Sequence, residues 1–185
     1  MTSRLLLVPP AIGPALREAR FYDGSSSIDG AIRLTATDVP EAARVVLSPG
    51  ARCRDTAEAL GLRGTEAAAL APLDAGRWRG RTLAEVSETE GDALAHWLAD
   101  PEHPAPGGES VHQLCTRVGH WLETLPDDRT TAVVEPDVVR ATVIHALNLP
   151  PAAFWRLDVP PLTATELSGR SGRWNLRLGR PLGGQ

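Results

Sequence analysis

Short unbroken runs of apolar residues alternate along this chain with stretches in which apolar residues recur every three or four positions. Leu5-Leu6-Leu7-Val8 ends at Pro9-Pro10, Val45-Val46-Leu47 ends at Ser48-Pro49, and Thr131 to Val134 is followed at once by a helical pattern. A run with no polar alternation is the signature of a strand covered on both faces, as in a parallel sheet. Helices are predicted from Arg52 to Leu60, closed by Gly61, and from Val138 to Leu147. The clearest amphipathic helix opens near Ser110 and carries Val111, Leu114, Cys115, Val118, Trp121, Leu122 and Leu125 on one stripe. Leu83, Val86, Leu94, Trp97 and Leu98 follow a looser helical spacing that stops near Asp100-Pro101. Asp23 to Gly30 has no period and reads as loop, and Pro104 to Gly108 as a second loop. Beyond a short turn bearing Phe154 and Trp155, two strand-like pieces, Leu162 to Leu167 and Trp174 to Leu178, close the pattern.

Strands alternating with helices predict an α/β fold: a three-layer α/β/α sandwich around a mainly parallel central sheet. A chain of 185 residues suits one domain, so residues 1–185 are read as a single unit. In such sheets ligands bind past the carboxyl ends of the strands. That rule directs attention to the residues after Val8, after Leu47 and after Val134.

Composition narrows the classes of partner. The chain is 42% apolar and 23% charged with a formal charge of −4, ordinary values for a globular protein. Its 19 basic residues are all arginine, scattered rather than clustered, which argues against a nucleic-acid surface. Cys53 and Cys115 lie in helical contexts without a CxxC or Cys/His cluster, so they read as buried thiols. Neither metal nor cofactor is called for. The N-terminal apolar run is too short for a signal or membrane segment, and the expected location is the cytoplasm.

Several motifs carry a resemblance. Leu47-Ser48-Pro49-Gly50-Ala51-Arg52-Cys53-Arg54-Asp55-Thr56-Ala57 resembles the Ser-Pro-Leu-x-Arg-Ala-x-x-Thr-Ala signature of the histidine phosphatase superfamily, the group of phosphoglycerate mutases and α-ribazole phosphatases. Gly76-Arg77-Trp78-Arg79-Gly80 is similar to its Gly-x-Trp-Glu-Gly turn, and Pro106-Gly107-Gly108-Glu109-Ser110 to its Pro-Gly-Gly-Glu-Ser helix start. Val138-Val139-Arg140-Ala141 and then Phe154-Trp155 continue in the same order. The resemblance implies a phosphoglycerate mutase-like fold, and members of that group often dimerise, so a homodimer is one expectation.

The same resemblance implies a degenerate site. The histidine nucleophile of an Arg-His-Gly tripeptide falls within Pro9-Pro10-Ala11, the second histidine at Glu135, and the carboxylate proton donor at Pro72, with Asp74 nearby. Of the central phosphate-binding set Arg52 remains. Proline has no nucleophile, so phosphohistidine chemistry is closed at Pro10. Phosphoryl transfer relies on positive charge around the phosphate, which Glu135 opposes by roughly 4 kcal/mol at about 4 Å and an effective dielectric near 20. Phosphatase or mutase activity is therefore not expected.

Two readings follow. In the first, a pseudophosphatase, Glu135 replaces phosphate as the partner of Arg52, and the vestigial pocket binds a small anionic molecule or a protein partner. In the second, a repurposed enzyme, Glu135, with Asp137 or Asp74, is a general acid or base while Arg52 orients an anionic substrate. Arg17 and Arg20 are candidates for the pocket mouth, and Trp78 for stacking on a ligand. A further arrangement would bring another histidine into the site; His96, His103, His112, His120 and His145 read as surface, boundary or core residues.

Overall fold

The computed structural model describes residues 2–29, 39–170 and 172–182. Gly30, the last residue of the first predicted loop, lies outside them. Six strands, β1 (Ser3–Val8), β2 (Arg44–Leu47), β3 (Thr65–Glu66), β4 (Arg129–Val133), β5 (Thr163–Arg170) and β6 (Arg173–Pro181), form one sheet in the order β3-β2-β4-β1-β5-β6. Strands β3, β2, β4 and β1 run parallel, and the β5–β6 hairpin is added antiparallel to β1. The predicted α/β sandwich with a mainly parallel sheet is the fold observed.

The unbroken apolar runs are explained by burial on both faces. Leu5 and Leu7 enter one core with Val46, Ala132 and Val134, whereas Leu6 and Val8 enter another with Leu47 and Val133. The larger core is covered by α3 (Leu83–Ala99), α4 (Val111–Glu123) and α5 (Pro136–Ala146). The smaller is covered by α2 (Ala51–Ala59), through Cys53 and Ala57. A short first helix, α1 (Pro14–Arg17), and the two-residue β3 are too brief to leave a periodic signal.

Helix boundaries follow local chemistry. Thr82 with Glu85, and Ser110 with Gln113, make reciprocal capping boxes at the starts of α3 and α4. After α2 the Gly61 N–H donates to the Glu58 carbonyl and the Leu62 N–H to the Ala57 carbonyl, with Gly61 at φ 69°, a Schellman ending. The looser pattern of α3 has a cause: Glu90 (φ −142°, ψ 37°) breaks its helical path, so the apolar positions before and after the break are out of phase.

Gly76 and Gly108 pack the two motif turns against each other. An added Cβ on Gly76 would lie 2.2 Å from the Pro106 carbonyl oxygen, and one on Gly108 2.2 Å from that of Asp74. Hydrogen bonds from Arg77 N–H to Pro106 and from Glu109 N–H to Asp74 fix the contact. Among the described residues, no helix is long and apolar enough to cross a membrane.

Candidate functional site

Past the carboxyl ends of β1, β2 and β4, the three places singled out in the sequence converge on one pocket of about 650 Å³. Its inner wall holds Pro10, Tyr22, Arg52, Pro72, Glu135, Asp137 and Arg140, and its outer wall Leu16, Phe21, Leu83, Trp97, Leu98 and Trp155. No histidine is found among the described residues that line it, so the arrangement in which another histidine moves in is not adopted. His145 instead packs over Gly119 and meets Glu123 at 3.2 Å, and His112 meets Glu102 at 2.9 Å.

Arg52 and Glu135 form the floor. Arg52 is placed in the first turn of α2, and Glu135 is the N-cap of α5, whose first helical residue is Pro136. The guanidinium engages both carboxylate oxygens: Nε donates to Oε1 at 3.3 Å and a terminal nitrogen donates to Oε2. Both side chains are almost entirely buried, 7% and 3% exposed. Burial opposes the Arg52 charge, but the hydrogen bond and charge of Glu135 outweigh it and raise the guanidinium pKa.

The neighbours reinforce that pair. The Tyr22 ring lies 5.0 Å from the guanidinium carbon, in cation–π geometry, and its hydroxyl accepts a long bond from the Arg52 N–H. Burial, aided by Glu135, pushes the Tyr22 phenol up to about 12, so it stays protonated at neutral pH. The Cys53 thiol points at Glu135 Oε1, 3.5 Å away, and burial, then Glu135, raise its pKa well above the ordinary thiol range. The Glu135 N–H donates to Ser48 Oγ, which itself donates to the Leu70 carbonyl.

The backbone after β1 is equally committed. Pro9 and Pro10 carry no N–H. The Ala11 N–H is used by Thr56 Oγ1 at 3.1 Å, and the Pro9 carbonyl by the Leu162 N–H. Thus Pro9 supports the chain behind the pocket, whereas Pro10 and Pro72 are on its surface.

The remaining candidates separate. Asp137 lines the pocket and is 3.2 Å from Arg140; burial pushes its carboxyl up, Arg140 opposes this, and Glu135 adds to it. Arg20 lines the mouth, paired with Glu18 and donating to the Gly80 carbonyl at 2.9 Å. Arg17 is outside the pocket lining, drawn to Asp29 at 2.9 Å. Asp74 faces a neighbouring groove, where it holds Arg79 and accepts the Gly76 N–H. Trp78 is wholly buried, so it has no surface to offer a ligand. Its indole packs inward against Phe21 and Trp97, 5.5 and 5.7 Å away, and supports the pocket wall from behind.

Tyr22, Ser48, Cys53 and Arg140 are site residues that were not singled out in the sequence as such. Ser48, Cys53 and Arg140 lie inside motifs quoted above, which was a usable signal. Tyr22 gave none. It is brought to the pocket by long-range bonds, Phe21 N–H to the Arg81 carbonyl and Gly80 N–H to the Phe21 carbonyl.

Residues 32–180 match the sequence profile of the Histidine phosphatase superfamily (branch 1). The chain belongs to that superfamily. Among curated proteins, a bifunctional protein of Mycobacterium tuberculosis is 39% identical over 80 residues, which cover 41% of this chain and 22% of the relative. The chain thus spans about a fifth of the length of the curated relatives it matches. The structure is similar to that of the alpha-ribazole phosphatase of Shigella flexneri, with a TM-score of 0.79 and 16% identity, covering 98% of this chain and 99% of that one. It is similar also to a mycobacterial glucosyl-3-phosphoglycerate phosphatase, with a TM-score of 0.79 and 22% identity over 98% of this chain and all of the other. At such identities the likeness is one of fold.

Proposed function

We propose that this superfamily member has lost phosphohistidine chemistry and acts as a pseudophosphatase, binding a molecule in the pocket that remains. The observation that carries the reading is the buried Arg52–Glu135 pair: the guanidinium that would receive a phosphate is occupied by a carboxylate of the same chain. Pro10 stands at the nucleophile's position and contributes no nucleophilic atom. With Pro72 at the place of the proton donor, four positions, Pro9, Pro10, Pro72 and Glu135, have changed as one unit.

Assays of p-nitrophenyl phosphate and phosphoglycerate with the wild type and Arg52→Ala test this. The expected result is no turnover that depends on Arg52. Turnover abolished by Arg52→Ala would refute it.

One observation favours a second reading, a repurposed acid/base enzyme. Asp137 is in the pocket with its carboxyl pushed up, a property of catalytic acids. Glu135 suits that role less, since both its oxygens are engaged by Arg52. A non-phosphate ester or lyase substrate turned over by the wild type and not by Asp137→Asn would select this reading.

A further inference from the structure

The charges around the pocket cancel. Three arginines line it, Arg20, Arg52 and Arg140, and so do three carboxylates, Glu135, Asp137 and Asp158. Each arginine already has partners. Arg52 is engaged by Glu135 along its edge and covered by Tyr22 on its face. Arg140 donates to the Leu157 carbonyl at 2.8 Å and to Asp137 at 3.2 Å, and its carbon lies 5.7 Å from the Phe154 ring centre. Arg20 is held by Glu18 and by the Gly80 carbonyl. An incoming anion would compete with these partners for the guanidinium groups while facing Glu135 and Asp137.

The rest of the lining is apolar, and four of its large residues remain open to solvent: Leu16 (46%), Leu83 (44%), Leu98 (44%) and Trp155 (38%). These surround one mouth, and Trp97 and Trp155, 4.9 Å apart, supply aromatic surface to it. A concave apolar patch with a few fixed polar groups is the usual form of a small-molecule site, and about 650 Å³ lies inside the roughly 300–1,000 Å³ range of such sites. The protonated Tyr22 hydroxyl adds a neutral polar contact at the inner end.

We infer that this pocket takes a neutral ligand with an aromatic or otherwise apolar body, and selects against the phosphate ester of the same body. The inference rests on the pseudophosphatase reading and narrows it, replacing the anionic ligand expected from Arg52 in the vestigial pocket.

The test is a matched pair on the full chain, 1-naphthol and 1-naphthyl phosphate, followed by calorimetry and by quenching of tryptophan fluorescence. The expected result is naphthol binding at least about tenfold tighter, a difference of about 1.4 kcal/mol, with Leu98→Asp and Trp155→Ala weakening it. Glu135→Gln, checked for folding by circular dichroism, should shift the preference toward the phosphate by freeing Arg52. Tighter binding of naphthyl phosphate without hydrolysis would overturn the inference and leave the pseudophosphatase reading standing. Arg52-dependent hydrolysis would overturn both. Failure of both compounds to bind up to their solubility limits, or naphthol binding unaffected by Leu98→Asp, would overturn the inference alone.

Discussion

Removing either member of the Arg52–Glu135 pair should be far more damaging than removing both. The pair is bidentate, with side chains 7% and 3% exposed, so each charge depends on the other for its compensation. Arg52→Met leaves the Glu135 carboxylate with a thiol at 3.5 Å and the α5 N-terminus as its main polar surroundings. Breaking such a buried pair costs about 3–5 kcal/mol, because an uncompensated charge remains. Glu135→Leu should fall near the lower end, about 3 kcal/mol, since Arg52 keeps the Tyr22 ring and borders a pocket that admits water. The double variant Arg52→Met/Glu135→Leu removes both charges and should lie within about 1–2 kcal/mol of the wild type. For a chain of this size each kcal/mol is roughly 2–4 °C in Tm, so the single variants should lose roughly 6–20 °C. Urea unfolding followed by tryptophan fluorescence and circular dichroism gives the double-mutant cycle. Single variants within about 0.5 kcal/mol of the wild type, as for an exposed pair, would refute the reasoning. So would a double variant destabilised by the sum of the two singles.

Other consequences are open to measurement. Tyr22 is the chain's one tyrosine, so absorbance at the phenolate band reports it alone; the folded protein should titrate at about 12 and the unfolded chain near 10. Because the folded value is the higher, the associated stability is complete below about 10 and is lost as pH rises through about 12; a folded-state titration near 10 would contradict the burial of the phenol beside Glu135. Glu90 is held down to about 2, chiefly by Arg77 and also by Arg81. Its folded value is the lower, so the Tm difference between wild type and Glu90→Gln should be constant above about 4.5 and shrink as pH falls toward 2. A difference that grows on acidification would be inconsistent with that pairing. Gly76→Ala forces a Cβ to 2.2 Å from the Pro106 carbonyl oxygen at φ 54°, and should cost at least about 1–3 kcal/mol in urea unfolding; a neutral variant would show that the two turns do not clamp each other.

Much of the architecture was legible because burial writes itself into pattern. Strands β1, β2 and β4 are covered on both faces, so their sequences are continuous apolar runs, and α4 is covered on one face, so its stripe is clean. The extents of β5 and β6 were legible only in part. In β6, an edge strand, Trp174 and Leu176 pack partly against the core and give the alternation read from Trp174 to Leu178, whereas Arg173 and Gly179 to Pro181 are exposed and carry no pattern. The α3 spacing was obscured by the break at Glu90.

Legibility of the site depended on separation along the chain. Arg52 and Glu135 could be named because each falls in or beside a motif, yet their bond joins residues 83 apart and depends on β2 and β4 being neighbours. Tyr22 lies in an irregular stretch placed by hydrogen bonds to residues 80 and 81, which no local pattern encodes. Trp78 illustrates the opposite error: a motif tryptophan next to a site suggests a ligand contact, but the indole is buried against Phe21 and Trp97, residues distant in sequence. Arg52 in a vestigial phosphate pocket likewise suggested an anionic ligand, and only the placement of each carboxylate reveals that every arginine of the pocket already has an acidic partner.

The central claim is that the site forms no phosphoenzyme. Its most direct test is intact-protein mass spectrometry after incubation with p-nitrophenyl phosphate and a quench at alkaline pH, where a phosphohistidine would survive. The account predicts the unmodified mass alone. A species heavier by one phosphoryl group, present in the wild type and absent in Arg52→Ala, would contradict it.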